Sequence, residues 1–135
     1  MDYENTKIKG DEAELAVLGY LKHRGYVVSL PFGENAPYDL VVESPVRHCL
    51  YRVQVRWGRW KKGALGLSLL RNSKNYRKTL DRKRIDIFAI WDGQDAYFVP
   101  SADTLSCQAE FSLRGHSAMN GQIKGIHMAS AYKDA

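Results

Sequence analysis

One segment constrains the fold of this chain more than any other: residues 49–57, along which apolar and polar side chains alternate. In a β-strand such alternation separates two faces, with Tyr51, Val53, Val55 and Trp57 on one and Arg52, Gln54 and Arg56 on the other. A second segment of high β propensity, 38–43, precedes it and is closed by Ser44-Pro45, which is a turn signal. The two segments therefore predict a hairpin with one apolar face and one polar face.

A helix and further strands are expected around this hairpin. Apolar residues recur at helical spacing between residues 10 and 24, and Gly25 stands where that helix should end. Alternation or β propensity predicts strands at 26–30, 64–70, 85–91 and 96–99, the last two joined as a hairpin around Asp92–Asp95. A helix followed by strands with mixed connections predicts an α/β fold, a central mixed β-sheet flanked by helices.

The other segments give weaker signals. Residues 31–37 are a turn-rich loop, and a short helix is expected from Pro100 to Leu105. We expect a loop or short helix at 72–84, find no clear period at 106–122, and expect either a strand or a helix at 123–132.

Length and composition limit the class of protein. A chain of 135 residues fits one domain, 1–135, and no stretch approaches the roughly 18 apolar residues that span a bilayer. The first nine residues are polar, so no secretory signal is expected and the predicted location is cytoplasmic. Two cysteines and four histidines without metal-ligand spacing argue against zinc or histidine–metal chemistry.

Positive charge is concentrated in one part of the chain. Residues 47–84 contain thirteen Lys or Arg against one acid, a local charge of +12, whereas the other residues carry seven bases and fourteen acids. Such a block is typical of a surface that binds nucleic acid, and the alternatives are a solvated basic face or an anionic membrane surface. We favour double-stranded DNA and no membrane, because the block lacks the pattern of a basic amphipathic helix. The predicted DNA-binding residues are Arg52, Arg59, Lys61, Lys62, Arg71, Lys74, Arg77 and Lys78.

Aromatic residues lie among these bases. Trp57, Trp60 and Tyr76 could stack on or flank DNA, although core packing explains Trp57 equally well.

Four polar residues are unremarkable one by one. Glu14 suits the start of a helix, where an acid interacts well with the helix dipole, and Asp39 suits a turn at the beginning of a strand. Gln54 and Arg56 suit the solvent face of a strand.

Together these residues predict an oxygen-rich pocket where the helix and the two strands meet. Such a pocket suits Mg²⁺ or Mn²⁺, with Asp39 binding directly, Gln54 through its amide oxygen, Val55 through its backbone carbonyl, and Glu14 directly or through water. A bound ion of this kind would activate water and stabilise charge on a phosphate.

Three segments, 10–14, 31–42 and 51–56, resemble the PD-(D/E)xK nuclease signature. The most similar variant is that of cyanobacterial-type group I intron homing endonucleases, which have glutamine at the (D/E) position, and the resemblance extends through 85–90 and 97–100. It implies a restriction-endonuclease-like core, metal-dependent cleavage of phosphodiester bonds in duplex DNA, and a homo-oligomer, a dimer or tetramer. It also implies that the catalytic residues are Glu14, Asp39, Gln54 and Arg56.

Arg56 departs from this pattern, because the family has lysine at that position. Arginine keeps its proton at every accessible pH and cannot act as a base, although it can stabilise negative charge. An active natural variant, a DNA-binding protein with weakened cleavage, and an inactivating substitution are all compatible with it, and Lys61 or Lys62 could supply a displaced ammonium group. A Holliday junction resolvase remains a third functional alternative on the same core.

Overall fold

A computed structural model describes residues 3–33, 35–72, 77–79, 82–105 and 110–115. The one described α-helix, α1, spans Tyr3–His23, and a short 3₁₀ helix spans Ser101–Thr104. The described strands are β1 Val27–Ser29, β2 Leu40–Glu43, β3 Leu50–Trp57, β4 Trp60–Lys61, β5 Ala64–Ser68, β6 Leu70–Asn72, β7 Arg77–Thr79, β8 Ile87–Trp91, β9 Ala96–Pro100 and β10 Glu110–Arg114.

Five strands form the central sheet, in the order β1-β2-β3-β8-β9. The predicted hairpins are confirmed, since β2 pairs antiparallel with β3 and β8 pairs antiparallel with β9. The central pair β3–β8 is parallel, with Gln54 beside Phe88 and Arg56 beside Ile90. The sheet is therefore mixed, and the predicted α/β fold class is confirmed.

The two faces of the sheet carry separate hydrophobic clusters. On one face, Val53 and Val55 pack with Ala13 and Val17 of α1. On the other face, Phe88 and Ile90 pack with residues of a three-stranded sheet of order β10-β5-β4. Because β3 alternates, its apolar residues turn toward α1 and its polar residues turn toward the side of the second sheet.

Gly25 ends α1 as the sequence predicts. Its φ of +88° is left-handed, its N–H donates to the Lys22 carbonyl, and the Tyr26 N–H donates to the Leu21 carbonyl. This pair of bonds is a Schellman motif, in which glycine adopts the left-handed conformation at little cost. The motif turns the chain directly into β1, which places α1 across the central sheet.

Some expectations about individual elements were wrong. Helix α1 begins at Tyr3 and not near Gly10, and the segment 72–84, expected to be a loop or short helix, contains β7, which pairs with β6. Strands β4 and β10 had no counterpart in the prediction, although both join the second sheet. The segment 123–132 lies outside the described residues. None of the described helices is long and apolar enough to cross a membrane.

Candidate active site

Asp39 lies just before β2 and continues the pairing between β2 and β3 with its side chain. Its backbone N–H donates to the Val53 carbonyl at 2.8 Å, and its Oδ2 accepts the Val55 N–H at 2.9 Å. A carboxylate oxygen thus takes the place that a backbone carbonyl has in a regular ladder. In an extended strand the N–H and C=O of one residue point to the same side, so the Val55 carbonyl lies on the edge of β3 that faces Asp39.

Glu14 approaches this edge from α1. It lines a cleft of about 270 Å³ together with Asp39 and residues of the preceding loop, which are Leu30, Pro31, Gly33, Ala36 and Tyr38. Burial, followed by the negative charge of Asp39, raises the pKa of the Glu14 carboxyl above its usual value. The helix that supplies Glu14 is fixed by Ala13 and Val17, which are buried against the central sheet.

The pKa of Asp39 is also raised, because the carboxyl is half-buried and partly removed from water. The Val55 N–H and the positive charge of Arg56 oppose this effect and favour the ionised form. Arg56 therefore acts on Asp39 electrostatically, and its Nε is fully buried. The structure brings together Glu14, Asp39, Val55 and Arg56, which come from three separate segments of the sequence.

The position of Gln54 relative to Asp39 follows only from the register of β2 and β3. Leu40 opposes Val53, so one further step of the ladder sets Asp39 opposite Gln54. Neither Gln54 nor Arg56 is among the residues that line the cleft. That Gln54 and Asp39 share one ion stays a prediction.

The donors at this edge suit a hard divalent cation. Glu14 and Asp39 are two carboxylates close enough for one to raise the pKa of the other, and a cation between them would relieve that repulsion. The Asp39 oxygen that does not bind Val55 and the Val55 carbonyl are further oxygen ligands. Within the described residues no group of three or more His, Cys, Asp or Glu is clustered for a metal, so a cation here would depend on neutral oxygens as well.

A basic hairpin, residues 59–64, follows the end of β3 that carries this site. Strands β4 and β5 pair through Lys61 and Ala64, and Lys62 and Gly63 between them have φ values of +51° and +77°. Two positive φ values identify a type I′ turn, the usual two-residue hairpin connection. Arg59, Lys61 and Lys62 are exposed on this hairpin, so three of the predicted DNA-binding side chains project near one another.

Trp60 anchors the basic hairpin to the central sheet. Its Nε1 donates to Asp92 Oδ2 at 2.9 Å, and its ring packs edge-on against Tyr97. Burial opposes ionisation of Asp92, but hydrogen bonds from Asp95, Trp60 and Gln94 outweigh it and lower the carboxyl pKa. Trp57 packs against the α1-side cluster beneath the Lys9 ammonium. Both rings therefore have structural partners.

Arg52 holds two strands together. Its Nε and Nη2 donate to the two carboxylate oxygens of Asp86 at 3.0 Å each, and its backbone N–H donates to Asp86 Oδ2 at 2.8 Å. A phosphate would have to compete with this bidentate pair, although DNA binding by Arg52 stays a prediction.

Four other predicted DNA-binding residues cannot be placed as side chains. For Arg71, Arg77 and Lys78 the structure describes only the backbone of the β6–β7 hairpin. Lys74 and Tyr76 lie outside the described residues.

Sequence reasoning missed the loop residues that wall the cleft. Pro31 and Gly33 had marked a turn, but nothing in their spacing linked the loop to Glu14, which lies on a helix. A second cavity, larger than the cleft at about 770 Å³, was not anticipated either. It lies at the other end of β3, where apolar residues such as Leu21, Val42 and Phe98 line it.

Comparison with known proteins agrees with this geometry. A solved bacterial homing endonuclease, I-Ssp6803I, is similar to this chain with a TM-score of 0.72 and 25% sequence identity, over 96% of this chain and 88% of that one. None of the curated proteins matches this chain. The family model described as PD-(D/E)XK endonuclease matches residues 4–135, and the chain therefore belongs to the PD-(D/E)XK endonuclease family.

Proposed function

We propose that this protein is a metal-dependent, sequence-specific DNA endonuclease of the homing type, which hydrolyses phosphodiester bonds in duplex DNA. The observation that carries the proposal is the meeting of two half-buried carboxylates, Glu14 and Asp39, at a strand edge close to the positive charge of Arg56. The basic hairpin at the same end of β3 supplies exposed cations for the DNA backbone. The similar bacterial protein is a homing endonuclease, which supports the same substrate.

Glu14 and Asp39 would hold a Mg²⁺ or Mn²⁺ ion together with the Val55 carbonyl and the amide oxygen of Gln54. When bound, the ion supplies an activated water and positive charge beside the phosphate. The Val55 N–H fixes the Asp39 carboxylate before substrate arrives, since it already occupies one oxygen. In the reaction a water oxygen bonds to phosphorus, a bridging P–O bond breaks, and the water's proton is lost while the leaving oxygen gains one.

Arg56 would stabilise the charge that builds on the phosphate oxygens, because a guanidinium stays protonated and offers several donors. It cannot accept the proton of the attacking water. A non-cleaving DNA-binding protein is therefore the second candidate function, and Arg56 is the observation that favours it.

A plasmid cleavage assay separates these two candidates. The wild-type chain and Arg56→Lys are each incubated with supercoiled plasmids that carry candidate sites, with Mg²⁺ and with chelator, and DNA binding is followed in parallel. We expect cleavage that requires Mg²⁺ and is faster in Arg56→Lys. Binding without any metal-dependent cut by either form would reject the endonuclease and leave the binding protein.

Carboxylate variants locate the chemistry. Asp39→Asn should abolish metal-dependent cleavage while DNA affinity stays equal or rises, because a charge that repels phosphate is lost. Glu14→Gln should also reduce cleavage, whereas Glu12→Gln, on the exposed side of the same helix, serves as the matched control. Cleavage by Asp39→Asn at the wild-type rate would refute the site.

We further propose a symmetric homo-oligomer, a dimer or tetramer, since one chain offers one candidate site and a duplex has two strands to cut. Analytical ultracentrifugation of the free protein and of its DNA complex tests this. A monomer in both states would contradict it.

A further inference from the structure

One aromatic side chain at the wall of the cleft has no cover in the described structure. Phe32 is 105% exposed, the highest exposure among the large hydrophobic residues of the described chain. It lies between Pro31 and Gly33, both of which line the cleft that contains Glu14 and Asp39. Leu30, two residues earlier, also lines the cleft and is 60% exposed.

The loop presents this ring by its own geometry. Proline fixes its φ angle before Phe32, and Gly33 has a φ of +84°, in the left-handed region that favours glycine. The ring thus stands on a bend of the loop, between two residues that line the cleft. Leaving a phenylalanine in water forgoes about 1.5–3 kcal/mol of burial. Together with the exposed Leu30, Phe32 gives the loop an apolar patch beside the cleft, and exposed apolar patches mark interaction sites.

The position of the ring identifies the chemistry of that partner. The proposed function sets a scissile phosphate against Glu14 and Asp39, so the neighbouring sugar and bases lie along the wall of the same cleft. The minor groove is only about 6 Å wide, and side chains beside one backbone therefore also face the edges of the stacked bases. Phenylalanine and leucine are apolar wedges that proteins insert between base steps.

We propose that Phe32 inserts from the minor groove into the base stack beside the scissile phosphate, with Leu30 supporting it, and thereby positions the phosphate over the carboxylates. The inference rests on the proposed function, because it requires duplex DNA at this cleft. Phe32 is a positioning residue: it touches the bases of the substrate and leaves bond cleavage to the groups at the strand edge.

Base unstacking can be measured without cleavage. A duplex that the wild-type protein selects from a randomised library is labelled with 2-aminopurine at each position in turn and titrated in the presence of chelator. 2-Aminopurine fluoresces more strongly when its neighbours no longer stack on it. We expect a rise confined to one or two adjacent positions with wild type and with Phe32→Trp, and no rise with Phe32→Ser.

The affinity of the variants for the selected duplex is the second measurement. Phe32→Ser should bind the selected duplex about tenfold more weakly, as expected when one base–aromatic contact is lost. Val46→Ser removes another exposed apolar side chain, 83% exposed at the β2–β3 turn and far along β3 from Asp39, and should leave both signal and affinity unchanged.

The possible results are distinct. A fluorescence rise that Phe32→Ser keeps, at unchanged affinity, overturns the inference and leaves the endonuclease proposal standing. A change in sedimentation with Phe32→Ser, at unchanged fluorescence, overturns it in favour of a contact between copies of the chain. Absence of DNA binding by the wild-type protein would remove the proposed function itself.

Discussion

Arg52 was predicted to bind DNA, but in the structure it pairs with Asp86. Breaking this pair tests whether Arg52 stabilises the fold. Asp86→Asn keeps one carbonyl oxygen but removes the charge and one of the two oxygens that Arg52 now engages through three hydrogen bonds. Hydrogen bonds to charged groups contribute about 1.5–3 kcal/mol when well protected. The two side chains are 37% and 36% exposed, so screening by water reduces the expected loss to about 1.5 kcal/mol.

The dependence on pH follows from the direction of the shift. The hydrogen bond from Arg52 holds the pKa of the Asp86 carboxyl below its usual value. A carboxyl with a lowered folded-state pKa contributes stability above its unfolded-state pKa, which is about 3.9, and loses it as the pH falls through the folded-state pKa. Wild type and Asp86→Asn should therefore differ fully at pH 7 and converge at strongly acidic pH.

Urea unfolding of a double-mutant cycle measures the bond. Wild type, Asp86→Asn, Arg52→Gln and the double variant are compared at pH 7, with Glu12→Gln as a control on the exposed side of α1. With a slope of about 2 kcal/mol per molar urea, the midpoint of Asp86→Asn should fall by about 0.8 M. A coupling energy below about 0.3 kcal/mol, together with weakened DNA binding by Arg52→Gln, would refute the structural role and restore the DNA-binding one.

Two further predictions concern packing and charge. A Cβ on Gly58 would lie 2.5 Å from Ile90 Cγ2 and 2.8 Å from Leu65 Cδ1, so Gly58→Ala should destabilise the fold by about 2 kcal/mol through overpacking. Gly19→Ala, whose Cβ meets nothing within 4 Å on α1, should instead stabilise it by about 0.5–1 kcal/mol, and thermal melts that ranked the two variants the other way would contradict this. Raising salt from about 50 to 200 mM should weaken DNA binding about a thousandfold if six or more phosphate contacts form. Replacing Lys61 and Lys62 by glutamine should reduce the slope of log K against log salt concentration by about two. A flat response of the wild-type protein would exclude the basic hairpin as a phosphate-binding surface.

The sequence predicted what depends on local pattern and missed what depends on distant pairing. The alternation in β3 and the apolar stripe of α1 were visible in the sequence because each pattern repeats several times within its own element. Strand β10 also alternates, with Phe111 and Leu113 buried, but its partner β5 lies more than forty residues earlier, and five residues alone do not establish a period. The β6–β7 hairpin consists of polar and basic residues apart from Leu70, so its sequence has no apolar alternation that would mark it.

The candidate site divides in the same way. A hairpin between 38–43 and 49–57 already brings Asp39 near Val55, and sequence reasoning reached both residues. The approach of Glu14 required knowing how α1 lies on the sheet, which its neighbours Ala13 and Val17 decide by packing. The loop that forms the cleft wall could not be assigned, because proline and glycine indicate a turn without indicating what the turn faces.

The two unusual residues of this site are consistent with each other. Gln54 carries no charge where a second strand carboxylate would carry one, so the negative charge at the site comes from Glu14 on the helix and Asp39 on the strand edge. Arg56 adds a permanent positive charge, which opposes the rise that burial causes in the pKa of Asp39. A site with so little net negative charge repels a phosphate weakly but also attracts a free cation weakly, so cation and DNA should bind more tightly together than either does alone. Arginine at the position where the family has lysine keeps a positive charge beside the phosphate but cannot accept a proton, so we expect this chain to bind DNA and to cleave it slowly.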